Sequence, residues 1–79
     1  MGLSLSAIIA EVLRIEPTGL DDDAGMNVTE NWDSLNQFMI LTAVEQAFNA
    51  RLTIEEMEAA STMLAIRDLL RNQGITFDD

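Results

Sequence analysis

Apolar positions recur along this chain at helical spacing, and nowhere with the alternation of a strand. Leu5, Ile8, Ile9, Val12 and Leu13 fall at i, i+3, i+4, i+7 and i+8, which predicts an amphipathic helix over about residues 4–15 with Ser4 as its N-cap. Pro17 disfavours helical geometry at Glu16. Gly19, the acidic run Asp21, Asp22 and Asp23, Gly25 and Asn27 then predict irregular backbone through Asn31. At about 16 residues this loop exceeds an ordinary connection, so either it has a task or Leu20, Met26 and Val28 anchor it to the core.

A second helix is predicted from residue 33 or 34 to about 49, with Phe38, Leu41, Val44 and Phe48 as its core stripe. Leu35, Met39, Ala43 and Gln46 lie on the opposite face, and the surplus apolar surface there points to a partner. Glu55, Glu56 and Met57 predict a short helix before Ser61 or Thr62 caps the last one. That last helix has Met63, Ile66, Leu69 and Leu70 as its stripe. Arg67 and Arg71 complement its C-terminal dipole, and Gly74 suits its stop. Residues 75–79 are expected to fray. The fold expected is all-α: a single-domain four-helix bundle of three long helices and one short, up-and-down, with a long first loop.

Length limits the chain of 79 residues to one core, and a hydrophobic fraction of 48% is ample to build it. Fourteen acidic against 4 basic residues leave a net charge of −10. A phosphate backbone repels such a surface, which excludes nucleic acid as a partner, whereas proteins with basic docking patches are attracted. With no cysteine there is no disulfide framework and no thiolate. The absence of histidine removes the usual general base and transition-metal ligand, so neither an autonomous enzyme nor a metal site is expected. No apolar run approaches the roughly 20 residues of a membrane span, and residues 3–10 lack the flanks of a signal peptide. The chain reads as a cytoplasmic monomer. Met1-Gly2-Leu3-Ser4-Leu5-Ser6 satisfies a loose N-myristoylation pattern, but Leu5 is wanted by the first apolar stripe.

Asp33-Ser34-Leu35 stands where the long polar loop meets the second helix, so the Ser34 hydroxyl is expected at an exposed helix N-terminus. Free N–H groups and partial positive charge there favour a phosphate. Capping explains the same residues as well: Ser34 with Gln37 makes a capping box, and Asp33 is an equally good N-cap.

Residues 33–70 resemble the acyl carrier protein family in order and spacing, without a gap. Asp33-Ser34-Leu35 resembles the attachment motif, and Val44-Glu45-Gln46-Ala47-Phe48 the acidic, aromatic-ended second helix. Leu52-Thr53 follows at the family's distance. Glu55-Glu56-Met57-Glu58 resembles the short third helix, and Ser61-Thr62-Met63 with Ile66, Leu69 and Leu70 the fourth. The first helix and the loop match only in kind.

The resemblance implies that a phosphopantetheinyl transferase moves 4'-phosphopantetheine from coenzyme A onto Ser34. Acyl intermediates then ride as thioesters between loading and processing enzymes of fatty-acid-like, polyketide or secondary metabolism. It implies that Asp33 helps the transferase recognise the site, that Leu35 packs beside the arm, and that Glu45, Gln46, Glu55, Glu56 and Glu58 face basic partner enzymes. Met39, Ala47 and Arg51 stand where acid is common in fatty-acid carriers, which points to a dedicated partner set, unless Met39 merely packs on the loop. Trp32 is expected to pin the loop to the bundle, its N–H on a loop carbonyl, the other reading being a recognition element beside the arm. Asp21, Asp22 and Asp23 lack the spacing of an EF-hand and read as a solvated turn. Two other readings stay open: an aminoacyl, peptidyl or D-alanyl carrier using the same anchor, and an unmodified helical interaction module in which Ser34 is only a cap.

Overall fold

The computed structural model describes residues 3–78; Met1 and Gly2, where the lipidation pattern begins, and Asp79 lie outside the described residues. Four α-helices follow in the order α1 (Leu5–Leu13), α2 (Ser34–Phe48), α3 (Ile54–Ala59) and α4 (Met63–Asn72), with one turn of 3₁₀ helix at Pro17–Gly19. They alternate in direction. Asn31, just before α2, donates from Nδ2 to the Leu13 carbonyl at the end of α1 (2.8 Å), so α2 starts where α1 stops. The end of α3 meets the early turns of α2, and the residues after α4 return to Phe48 at the far end of α2.

Each start is set by a side chain. Ser4, Asp33, Thr53 and Thr62 accept from the amide three residues on, and at α3 the Glu56 carboxylate also receives the Thr53 amide, completing a capping box. A helix of six residues does not hold alone in water. That box, and the burial of Met57, keep α3 in place.

Helix α1 ends two residues earlier than its pattern predicts, because Arg14 turns into the left-handed region (φ 59°, ψ 46°). A non-glycine residue is strained there. Arg14→Gly is expected to stabilise the fold by about 0.5–1 kcal/mol, read as a higher urea midpoint.

Leu5, Ile9, Leu13, Trp32, Ile40, Leu41, Val44, Met63, Ile66 and Leu70 form the innermost core. Two sequence expectations about the core change. Phe38 is 52% exposed rather than in the core, and Ile40 and Gln37 occupy the interior face instead. Helix α2 is apolar nearly all round, so its period does not fix its phase. Val28, at 77% exposure, does not anchor the long loop. Leu20, Ala24 and Trp32 do, with Met26 partly buried.

The tail does not fray over its described part. Ile75 and Phe77 pack on the core, the Asp78 amide donates to Leu3 (2.8 Å), and the Leu5 amide donates to Asp78 (3.0 Å). Phe77 meets Phe48 edge to face, with Arg71 over its ring.

The loop is also stitched to the start of α4. Met26 donates to the Ser61 carbonyl and Met63 to the Ala24 carbonyl (both 2.9 Å), which brings Gly25 so close that a Cβ there would lie 2.6 Å from the Ser61 oxygen. Gly25 is needed for that approach. Arg67 reaches across from α4 to pair with Asp22 of the loop.

Candidate functional site

Ser34 is the first residue of α2, and it is exposed. The cap is Asp33: its Oδ1 accepts from the Asn36 amide (2.8 Å) and its carbonyl from the Gln37 amide (2.8 Å). Of the two capping arrangements open to the sequence, the structure adopts this one, and Gln37 takes no part in capping. The Ser34 side chain is thereby left without a capping task. Of the first-turn N–H groups, those of Asn36 and Gln37 go to Asp33, while those of Ser34 and Leu35 have no acceptor within the helix, and the aligned peptides of 15 residues place partial positive charge behind them.

The segment leading into Ser34 is fixed rather than loose. Asn31 bonds α1, its own carbonyl accepts from Asn36 Nδ2 (2.6 Å), and Trp32 is 2% exposed. The Trp32 Nε1–H does not find a loop carbonyl; it donates to Oε1 of Gln37 at 2.6 Å. Gln37 in turn donates from Nε2 to the carbonyls of Met57 (2.8 Å), in the last turn of α3, and of its C-cap Ala60 (2.6 Å). Those carbonyls have no acceptor role left within their helix, so one buried amide satisfies two of them and the indole together. Each such bond contributes about 0.5–1.5 kcal/mol net, and more is lost when a buried partner is orphaned. No buried side-chain polar atom lacks a partner among the described residues.

Around Ser34 the remaining predicted residues divide. Leu35 (69% exposed) and Met39 (50%) share an outward face of α2 with Phe38, at i, i+3 and i+4. Met39 also borders a groove of about 350 Å³ with Ile8, Glu11, Val12, Arg14 and Ala43. Gln46, Glu55 and Glu58 are exposed. Glu45 and Glu56 have structural work: Glu45 Oε2 accepts from the Leu52 amide (3.0 Å), holding the α2–α3 connection, and Glu56 closes its capping box. Asp21 accepts from the Asp23 amide in a tight turn, and Asp22 pairs with Arg67. No group of three acidic residues is set to hold a metal ion among the described residues.

Sequence reasoning missed Phe38 as a surface residue and Gln37 as a buried one. Nothing in the pattern marks either, because a glutamine three residues after a serine at a helix start reads as a cap. Among the described residues no helix is long and apolar enough to cross a membrane.

No family model matches the chain. The chain is similar to the acyl carrier protein of Thermosynechococcus vestitus, 28% identical over 69 residues that cover 87% of this chain and 85% of that protein. At that coverage the likeness extends well beyond residues 33–70. It supports a carrier role in general, and it is a likeness to a carrier rather than to a catalyst.

Proposed function

We propose that this protein carries acyl groups as thioesters on a 4'-phosphopantetheine arm attached to Ser34. The observation that carries the reading is the division of labour at the start of α2: Asp33 caps the helix, which leaves the exposed Ser34 hydroxyl free of structural duty. The site suits a phosphodiester. First-turn N–H groups and the helix dipole favour its charge, and exposed Leu35 offers an apolar flank to the arm.

In this reading Ser34 Oγ attacks phosphorus in the diphosphate of coenzyme A while the bond to the adenosine-bearing phosphate breaks. The hydroxyl proton passes to a base of the transferase. Once attached, the arm supplies the thiol that a chain without cysteine lacks. Exposed Glu55 and Glu58, within a net charge of −10, draw enzymes with basic docking patches, and Leu35, Phe38 and Met39 add apolar contact. The expected setting is fatty-acid-like, polyketide or secondary metabolism in the cytoplasm.

Incubation with coenzyme A and a broad-specificity transferase tests the reading. Intact-mass measurement is expected to show one phosphopantetheinyl group, mapped by peptide analysis to Ser34. No addition with several transferases, or addition elsewhere, overturns it.

The Met39 face gives a further prediction. Because its side chain is half exposed and bears no hydrogen bond to lose, Met39→Glu is expected to change stability by no more than about 0.5 kcal/mol. Steady-state transfer with the cognate enzyme should weaken, and loading by a fatty-acid enzyme should improve, since the change restores acid where such carriers have it. A loss of several kcal/mol would put Met39 in the core instead.

A further inference from the structure

Gln37 stands one helical turn after Ser34, and it faces inward where Ser34 faces out. An alkyl chain tethered at Ser34 gains by leaving water, and the interior nearest to its anchor is the seam between α2 and the last turn of α3. Gln37 spans that seam. Its Oε1 holds the Trp32 indole and its Nε2 holds the Met57 and Ala60 carbonyls, all within 2.8 Å.

Parting α2 from α3 to admit a chain therefore separates the Gln37 amide from the Met57 and Ala60 carbonyls, and disturbs the indole bond that orients that amide, in a place where Gln37 is 5% and Trp32 2% exposed and water does not replace the lost partners. A leucine at position 37 would have no such hold. Three surface grooves are bordered by the long loop, by α3 and α4, and by α1 and α2; the second reaches Ala60, but Trp32, Ser34 and Gln37 line none of them.

We infer that the Gln37–Trp32 pair bolts the bundle shut beside the anchor, so that cargo on Ser34 rides in solvent and the protein suits short or polar acyl groups rather than long alkyl ones. The inference rests on the carrier reading above and adds the class of cargo.

It is tested by loading wild type and Gln37→Leu with acetyl- and octanoyl-phosphopantetheine and recording amide resonances and thermal midpoints. In wild type, octanoyl is expected to move only resonances around Ser34 and to leave the midpoint of the acetyl form unchanged. In Gln37→Leu, octanoyl should shift Ile40, Met57 and Ala60 and raise the midpoint. If Gln37→Leu does not fold, Trp32→Phe, which removes one bond of the three, is expected to give the same shifts in smaller measure. Core shifts in octanoyl wild type overturn the inference alone, as does a folded variant that excludes the chain as well as wild type does. Failure of wild type to accept the arm at all overturns the carrier reading and this inference with it.

Discussion

Ser34→Ala is expected to abolish phosphopantetheinylation completely while leaving the unfolding free energy within about 0.5 kcal/mol of wild type. The two halves of that result come from different atoms. Modification needs the hydroxyl oxygen as nucleophile, and alanine has none. Stability needs the cap, and the cap belongs to Asp33, whose carboxylate and carbonyl receive the Asn36 and Gln37 amides. Alanine at the first helical position keeps the backbone and has a higher helix propensity than serine. The contrast is Asp33→Ala, which should cost about 1 kcal/mol in a urea melt because the Asn36 amide loses its acceptor. Were Ser34→Ala the more costly of the two, Ser34 would be the cap after all, and the argument for its free hydroxyl would fall. Intact mass read alongside the melt separates loss of the nucleophile from loss of the fold.

Trp32→Ala is expected to cost about 3–5 kcal/mol, a large share of the roughly 5–15 kcal/mol that holds a small domain together. The indole is the largest fully buried side chain, and its removal leaves a cavity between the long loop and the bundle. Removal also orphans Oε1 of Gln37. Trp32→Phe keeps most of the ring and isolates that last effect, at about 1–3 kcal/mol. Circular dichroism in urea is the measurement, since Trp32 is the sole tryptophan and its variants lose the fluorescent signal. The apolar pattern puts Phe48 in the core stripe of the second helix. Phe48 is only partly buried, edge-on to Phe77, so its truncation should cost clearly less. Equal losses would mean that Trp32 is not the centre of the packing.

Much of this architecture is written locally and so can be read without coordinates. Caps need one polar side chain at a set distance, and Ser4, Asp33 and Thr62 are among the caps expected from the sequence, whereas Thr53, which closes a capping box with Glu56, is not among them. Amphipathic α4 shows its buried face at Met63, Ile66 and Leu70 because Arg67, Asp68, Arg71 and Asn72 supply polar positions that set the phase of the helix. Helix α2 hides its phase for the opposite reason: with apolar residues on every side, Phe38 and Ile40 are equal candidates, and packing from elsewhere in the chain decides. Contacts over long separation are the least legible. Gln37 meets residues 20 and 23 positions away, Arg67 meets Asp22 across 45, and the tail meets the first helix from the other end of the chain. Ser34 itself was legible as a position, but only the geometry of its neighbour showed that it is not the cap.

The bond between Leu3, Leu5 and Asp78 bears on how this protein can be handled and joined to others. It holds the first and last described residues side by side, at the end of the bundle where Phe48 meets Phe77. Ser34 opens α2 at the other end, roughly 20 Å away at the rise of a 15-residue helix. A linker, a tag or a neighbouring domain attached at either end therefore leaves from the pole opposite the serine. Tethered there, the bundle swings with Ser34 outermost, and a short bridge joining the ends would permit a new opening in the α2–α3 connection without crossing the serine's approach.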